Sequence, residues 1–495
     1  MTAPLLPPYD DTQPARFDNS YARLPDAFYS RIDPTPVRAP QLIKVNTGLA
    51  RAFNIDDGFL CSPAGVSVLS GNLIPATATP LAMAYAGHQF GNFVPQLGDG
   101  RAVLLGEVAD DTGQLFDIHL KGAGRTPYSR NGDGRAWLGP VLREYVLSEA
   151  MAALGIPTTR ALAALSTGED VVREEVLPGA LIVRMAQGHV RVGTFEYFAA
   201  KGDLTSLKTL ADYAIDRFYP NCREADQPYL ALFESVLDRQ ARLVAQWMGI
   251  GFIHGVMNTD NMSISGETID YGPCAFMDAY HPKTVFSYID QMGRYAFANQ
   301  APIAKWNLSR LAASLIPILH DDETKAQDMA QAALDTFEDV HEAYWTQVFN
   351  AKLGLAKIQP EDSRLARTLL HEMARSGADF TLLFRGLADG ADAVRGMFKN
   401  VEAFDAWAKS WQDRLHQESR TPEEVRQTMM RANPAFIPRN HRIEEMIEKA
   451  RDGDFTLFED LVNCLSKPFD DQAAFKTLQN PPKPDEIVHL TFCGT

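Results

Sequence analysis

Phe252-Ile-His-Gly-Val-Met-Asn-Thr-Asp-Asn261, followed by Ile269-Asp-Tyr-Gly272, decides the reading of this chain. A segment of helical period, Tyr229–Gly249, runs straight into it, with Leu230, Phe233, Leu237, Val244, Trp247 and Met248 in step and Gly249 as the stop. His254 and Gly255 then make a turn, and Asp260 and Asn261 stand side by side. A short apolar piece delivers Asp270. Two carboxylates and a carboxamide are thereby brought close along a tight strand-turn-strand path. Such oxygens are the ligands Mg²⁺ prefers, usually in a shell completed by substrate phosphates.

Protein kinases carry His-Arg-Asp-x-x-x-x-Asn ahead of Asp-Phe-Gly, and the Asn and the second Asp hold metal. On that frame His254 takes the His position, Asn261 the Asn, and Asp270-Tyr-Gly272 the Asp-Phe-Gly. The misfit is equally informative. Gly255 replaces the Arg, and Val256 replaces the Asp that would accept a hydroxyl proton. A valine is no base. Either the chain binds nucleotide without catalysis or another residue does the chemistry, with Asp260 the obvious candidate.

The preceding 200 residues supply the matching parts. Val103–Val108 and Phe116–Lys121 read as a hairpin around Asp111-Thr-Gly113, introduced by Gly98-Asp-Gly-Arg101. Glycines there let backbone N–H groups approach phosphates, so Gly98, Gly100 and Arg101 are candidate nucleotide contacts; a plain turn is the alternative. Alternation puts Phe116, Ile118 and Leu120 on one face and Asp117, His119 and Lys121 on the other. Kinases pair a strand lysine with a glutamate on the next helix. Here a helix is predicted from Val141 to Leu154, with Pro140 at its start, Gly155 at its end and Glu144 in its first turn. Lys121 and Glu144 are the expected pair; taken singly, each also reads as a solvated surface charge. The loop Gly122–Ala136 is dense in Gly and Arg, and its length suits function, with Asp133 and Gly134 as nucleotide candidates. Thr158–Ser166 and Ala180–Met185 read as strands. Arg184 and Arg191 flank a turn and offer two guanidinium forks for phosphate, although surface arginine explains them as well. Thr194 is the expected N-cap of a helix over Phe195–Ala200.

Length allows two or three domains. The expected division is an N-terminal wrapping segment (1–80), a β-rich lobe (81–203), a helical lobe with the metal-type loop (204–320) and a helical C-terminal extension with its tail (321–495). The net charge of -16 argues against nucleic acid and anionic membrane as partners. No apolar run reaches the length of a membrane span, and the first residues lack the marks of a signal peptide. The five cysteines, Cys61, Cys222, Cys274, Cys464 and Cys493, form no zinc spacing, so a reducing cytoplasm is the expectation.

Four motifs together resemble the selenoprotein O family. They are Pro80-Leu-Ala-Met-Ala-Tyr-Ala-Gly-His-Gln-Phe-Gly-Asn-Phe-Val-Pro-Gln-Leu-Gly-Asp-Gly-Arg101, Leu120-Lys-Gly-Ala-Gly-Arg-Thr-Pro-Tyr-Ser-Arg130, His254-Gly-Val-Met-Asn-Thr-Asp-Asn261 and Asp270-Tyr-Gly-Pro273. The likeness runs from about Phe17 to the C-terminus. It implies an α+β, protein-kinase-like two-lobed fold that binds ATP in a flipped orientation and transfers AMP to Ser, Thr or Tyr hydroxyls of proteins, this chain itself included. By motif, Gly98, Gly100, Arg101, Lys121, Asp133, Gly134, Arg184, Arg191 and Asp270 would bind ATP, and Glu144 would partner Lys121. Asn261 and Asp270 would hold Mg²⁺, with Mn²⁺ the alternative, and Asp260 would accept the proton. Cys493, third from the end, matches a position where many eukaryotic relatives carry selenocysteine; it marks a cysteine-containing, bacterial-type member and a redox candidate, its partner open between Cys274 and Cys464. Two other readings stand beside this one: a kinase with an unorthodox base, and a catalytically inactive ATP-binding scaffold.

Overall fold

The computed structural model describes residues 16–492; Cys493 lies outside them. The chain is a mixed α/β structure built on one antiparallel sheet and many helices. Its strands are β1 (Tyr29–Arg31), β2 (Gln41–Val45), β3 (Leu81–Met83), β4 (Gly87–Gln89), β5 (Asn92–Val94), β6 (Ala102–Ala109), β7 (Leu115–Lys121), β8 (Ala136–Trp137), β9 (Arg160–Val172) and β10 (Val176–Ala186). Two short strands follow, β11 (Phe252–Ile253) and β12 (Ala275–Phe276). The main sheet runs β1-β3-β6-β7-β10-β9-β2, with β8 also on β10. β7 is therefore central, with Lys121 opposite Ala102 on β6 and Ile182 on β10.

Period two sorts β7 onto two different surroundings. Ile118 and Leu120 are buried among Leu49, Leu69, Val103, Leu162 and Val183, with Phe116 against the same cluster under the short helices Thr47–Ala52 and Pro63–Leu69. Asp117, His119 and Lys121 face the other way and are nevertheless buried. They are covered on that side, so their charges must be paired inside the protein.

The helix carrying Glu144 runs Leu138–Ala153, three residues longer at its start than the sequence predicted. Glu144 consequently stands in its second turn, not its first, and is buried. Pro140 sits within the first turn, where a missing N–H costs nothing. The last helices, Asn440–Arg451 and Thr456–Leu465, fold back onto this helix: Ile443, Met446, Phe458 and Leu461 join Leu142, Tyr145 and Val146 in one cluster. Cys464 is buried there, and burial pushes its thiol up to about 12, far from reactive.

Helices Val192–Ala200, Leu204–Phe218, Pro228–Gly249, Gln300–Leu319 and Glu323–Asp335 share a core with Leu81, Met83 and Leu104 of the sheet. A separate aromatic cluster (Trp345, Phe349, Phe380, Phe384, Trp407, Trp411) consolidates the helices from Phe337 to His416. The helix at Val192 starts earlier than expected, with Arg191 as N-cap. Thr194 is therefore not the cap but the third helical residue, and its Oγ1 accepts the Arg191 N–H at 3.2 Å. Among the described residues no helix is long and apolar enough to cross a membrane.

Candidate active site

The centre is a buried cluster of charges from four distant segments. Lys121 Nζ donates to Glu144 Oε2 at 2.7 Å, and Arg184 donates to the other oxygen, Glu144 Oε1. Burial alone would raise the Glu144 carboxyl, but the Arg184 and Lys121 charges more than offset it and hold it well below the usual range. Lys121 Nζ also lies 3.9 Å from Asp270 Oδ1. Asp270 is opposed by burial in the same way and held down by Lys121, Arg101 and Arg184, which places the Arg101 charge at this site too.

Local structure delivers the two aspartates. The helix Pro228–Gly249 ends at the β11 strand, which pairs with β12 and closes the segment between them into a loop. His254 ties that loop together: its Nε2–H donates to Ile269 O at 2.8 Å, and its Nδ1 accepts the Val256 N–H at 3.3 Å. The residue before Asp270 is thus pinned to the start of the loop that carries Asp260. Asp260 and Asn261 share a single turn of 3₁₀ helix, Thr259–Asn261, and Asn261 Nδ2 donates to Val256 O at 3.1 Å. Asp270 itself is in the left-handed region, with φ +67, a conformation that costs a non-glycine residue energy and is found mainly where function demands it. Asp260 Oδ1 and Asp270 Oδ1 are both buried and lack a hydrogen-bond partner. Burial pushes Asp260 up to about 6.

A hairpin missed by the sequence reading clamps the Asp260 turn. β4 and β5 pair around Phe90-Gly91, and successive residues of the hairpin bond successive residues of the loop. Gln89 Nε2 donates to Asp260 Oδ2 at 3.3 Å, the His88 N–H to Thr259 Oγ1 at 2.7 Å, and the Phe90 N–H to Asn258 Oδ1 at 3.0 Å. Only glycine fits at 87, because a Cβ there would lie 2.6 Å from Asp260 Oδ1. From the other side Arg191 Nη1 donates to Asp260 O at 3.0 Å, and its guanidinium lies 3.8 Å from Asp99.

Asp99, likewise unflagged by the sequence, links the glycine loop to the sheet. Its Oδ2 accepts the Met83 N–H at 3.0 Å and is 3.3 Å from His119 Nε2. His119 stacks on His189, which bonds Asp117 at 2.8 Å. Burial pushes His119 down to about 4, so it is neutral at pH 7. The glycines on either side of Asp99 serve packing: at φ +131, a Cβ on Gly98 would lie 2.4 Å from the Tyr128 ring, and one on Gly100 2.8 Å from Tyr128 O. Tyr128 belongs to the Gly122–Ala136 loop, which is anchored by Gly122 N–H to Arg101 O at 2.8 Å and Gly124 N–H to Gly134 O at 3.0 Å. Asp133 is not drawn into the charge cluster; it is exposed and paired with Arg173 at 2.8 Å.

The donor set fits a hard divalent cation. A buried Asp270 oxygen without a hydrogen-bond partner and the Asn261 carboxamide oxygen are donors of the kind Mg²⁺ takes when phosphates complete its shell. Among the described residues no group of three His, Cys, Asp or Glu side chains is placed to hold a metal unaided.

Residues 12–466 match the family model described as "Protein adenylyltransferase SelO". The chain belongs to the SelO family. Its curated relatives span nearly its whole length: a protein of Nitrobacter hamburgensis named "Protein nucleotidyltransferase YdiU" is 56% identical over 492 residues, covering 98% of this chain and 97% of its own. A namesake in Rhodopseudomonas palustris strain HaA2 is 58% identical over 487 residues, 97% of this chain and 99% of its own. The SelO resemblance expected from four motifs thus extends over nearly the whole sequence.

Proposed function

We propose that this protein transfers AMP from ATP to Ser, Thr or Tyr hydroxyls of proteins on a kinase-like two-lobed scaffold, with Asp260 as proton acceptor. Membership of a family described as protein adenylyltransferase supports the reaction class. The observation that carries the site is the pair of buried oxygens without a hydrogen-bond partner, Asp260 Oδ1 beside Arg191 and Asp270 Oδ1 3.9 Å from Lys121, while Val256 occupies the position of a kinase base. Burial makes unpaired carboxylate oxygens costly, so their retention points to a ligand.

In this reading Lys121, Arg101, Arg184 and Arg191 receive the phosphates, and Glu144 fixes Lys121 and Arg184 in place. Asn261 and Asp270 would hold Mg²⁺ or Mn²⁺, which when bound neutralises charge on the phosphates. Asp260 takes the proton from the substrate hydroxyl; the freed oxygen bonds to the α-phosphorus, the bond from that phosphorus to the bridging oxygen breaks, and pyrophosphate leaves with the electron pair. A carboxyl raised to about 6 is mostly ionised at pH 7 yet basic enough to accept a proton in transit. The roles of Gly98, Gly100 and Gly134 toward the nucleotide and the flipped ATP orientation follow the family resemblance, whereas Asp133 is exposed on Arg173, away from the charge cluster. Cys493, outside the described residues, is kept as a redox candidate on the family resemblance.

Paired labelling tests the proposal. With ATP labelled on the α- or the γ-phosphate, protein acquires α-label only, and Asp270→Ala abolishes it. Transfer of γ-label would restore a kinase, and no transfer with ATP binding intact would favour the scaffold.

A further inference from the structure

Beside the hairpin that clamps Asp260 lies a cationic surface that the reaction above does not use. Trp306, on the helix Gln300–Leu319, is half-buried, and the His88 ring meets it edge-on with centroids 5.2 Å apart. The Arg294 guanidinium lies 4.6 Å from the Trp306 ring centroid and that of Arg310 lies 5.2 Å from it. Among the described residues neither arginine meets a carboxylate. Nε and Nη2 of Arg294 are buried without a hydrogen-bond partner, and the Arg310 side chain bonds the Ser309 hydroxyl. In a chain with 63 acidic and 47 basic residues, arginines ordinarily find acids; Lys305, next to Trp306, has Glu338 at 2.6 Å. Two acid-free guanidiniums held against one indole suit a planar oxyanion, because stacking fixes the orientation of a guanidinium fork that pairs with such groups.

Position says which anion. A Cβ on Gly91, at the hairpin tip, would lie 3.6 Å from Arg294 Cζ. Tyr295, the next residue, donates through its hydroxyl to Asn258 Oδ1 at 2.6 Å, two residues from Asp260. The surface is therefore continuous with the turn that presents the proton acceptor, on elements other than those supplying Lys121 and Arg184. Exposed apolar groups adjoin it: Phe93, 40% exposed, packs on His88, and Met292, 93% exposed, precedes Arg294 by two residues. A protein segment would cover such groups, whereas a free phosphate would not.

We propose that Arg294 and Arg310 on Trp306 form a docking site for an acidic segment of the protein substrate, seating an Asp or Glu side chain close to the hydroxyl that Asp260 activates. This rests on the adenylyltransferase reading for the identity of its partner, but binding tests it independently of transfer.

The test uses the full-length protein and short fluorescent peptides with a central Tyr flanked by Glu, by Gln or by Lys. Binding is read by anisotropy without ATP, and transfer by α-labelled ATP. Wild type is expected to bind the Glu peptide about tenfold more tightly than the Gln peptide, the size of effect a charge-assisted fork contact gives. Arg294→Gln and Arg310→Gln each erase that preference and raise KM for the peptide while KM for ATP stays unchanged. Arg294→Glu turns the preference toward the Lys peptide, a reversal that loss of packing alone does not produce. If Arg294→Gln fails to fold, Arg310→Gln decides. Equal binding of Glu and Gln peptides by wild type, or a preference surviving both substitutions, overturns the proposal. So does displacement of the Glu peptide by equimolar inorganic phosphate, which would mark a small-anion site. A Glu preference that the arginine variants abolish, in a protein that transfers no α-label, supports the docking site and refutes the adenylyltransferase reading.

Discussion

Replacing Glu144 by Gln removes one charge and almost no volume, and isolates what holds the cluster together. Its two oxygens are shared between Lys121, at 2.7 Å, and Arg184, and all three side chains are buried. Breaking a buried ion pair by removing one partner costs about 3–5 kcal/mol, because the remaining charge is left without a counterion. Asp270, 3.9 Å from Lys121 and also acting on Arg184, softens the loss for both cations, so the lower end, about 3 kcal/mol, is expected. For a chain of 495 residues the unfolding entropy is about 1 kcal/mol/K, so Tm falls by about 3 °C. The functional effect should be larger than the thermal one. Without Glu144 the Lys121 ammonium is free to swing to Asp270 and occupy the carboxylate proposed to hold the metal, so AMP transfer drops by at least about a hundredfold, of the order of losing one preorganised charge contact. Chemical denaturation at constant m-value and single-turnover α-label transfer measure the two effects. A stability loss under about 1 kcal/mol together with transfer within about twofold of wild type would refute the claim that this glutamate organises the site.

Gln89→Met keeps the bulk over Asp260 but removes the donor to its Oδ2, a contact worth about 1–1.5 kcal/mol, so kcat should fall about tenfold with KM for ATP unchanged. In an Asp260→Asn background the same substitution should add nothing, and an additive loss would show that Gln89 acts elsewhere. Glu267 gives the pH prediction: burial pushes its carboxyl up to about 8, against donors from Ser265 and the Gln187 N–H and beside Asp117 and Arg239. The folded state keeps a proton that the unfolded chain releases above its ordinary 4.5, so its contribution is complete at low pH and is lost as pH rises toward 8, at about 1.4 kcal/mol per unit. Glu267→Gln should flatten the fall in Tm between pH 5 and 8, and an unchanged slope would place its source elsewhere.

What the sequence made legible was whatever lies within one element or one motif. Lys121 could be placed at a strand end, and Glu144 on the next helix, because period two and period 3.6 are local properties. The helix start was misplaced because Pro140 reads as a first helical residue, while proline is equally at home a little deeper in the first turn. Strands β9 and β10 run well past the Ser166 and Ala180 limits that were read. Gly168, Pro178 and Gly179 look like breakers there, but the ladder absorbs them through a register shift between Pro178 and Ala180. Asp117 and His119 were legible as a polar face but not as a buried one. Their partners, Arg217 and Asp99, lie 100 and 20 residues away in sequence, beyond any pattern window. A signal did exist: a strand with neighbours on both sides and helices over both faces has no solvated side, so three alternating ionisable residues on it imply an internal network. Gln89 carried no such signal, since its role depends on a hairpin folding onto a loop 171 residues later.

The charge balance of the cluster explains why a molecule of net charge -16 can carry a nucleotide site at all. Arg101, Lys121, Arg184 and Arg191 are matched by Asp99, Glu144, Asp260 and Asp270, so the cluster is close to neutral on its own. A neutral site does not draw in a polyanion by field alone; it selects one by shape and by where each charge is fixed. Glu144 and Asp99 spend their charge on holding Lys121, Arg184 and Arg191 in place, whereas Asp260 and Asp270 keep one oxygen each uncommitted. That division separates residues that position cations from residues left open for chemistry. Together with Val256, it is the arrangement on which the proposed transfer, with Asp260 rather than residue 256 as proton acceptor, rests.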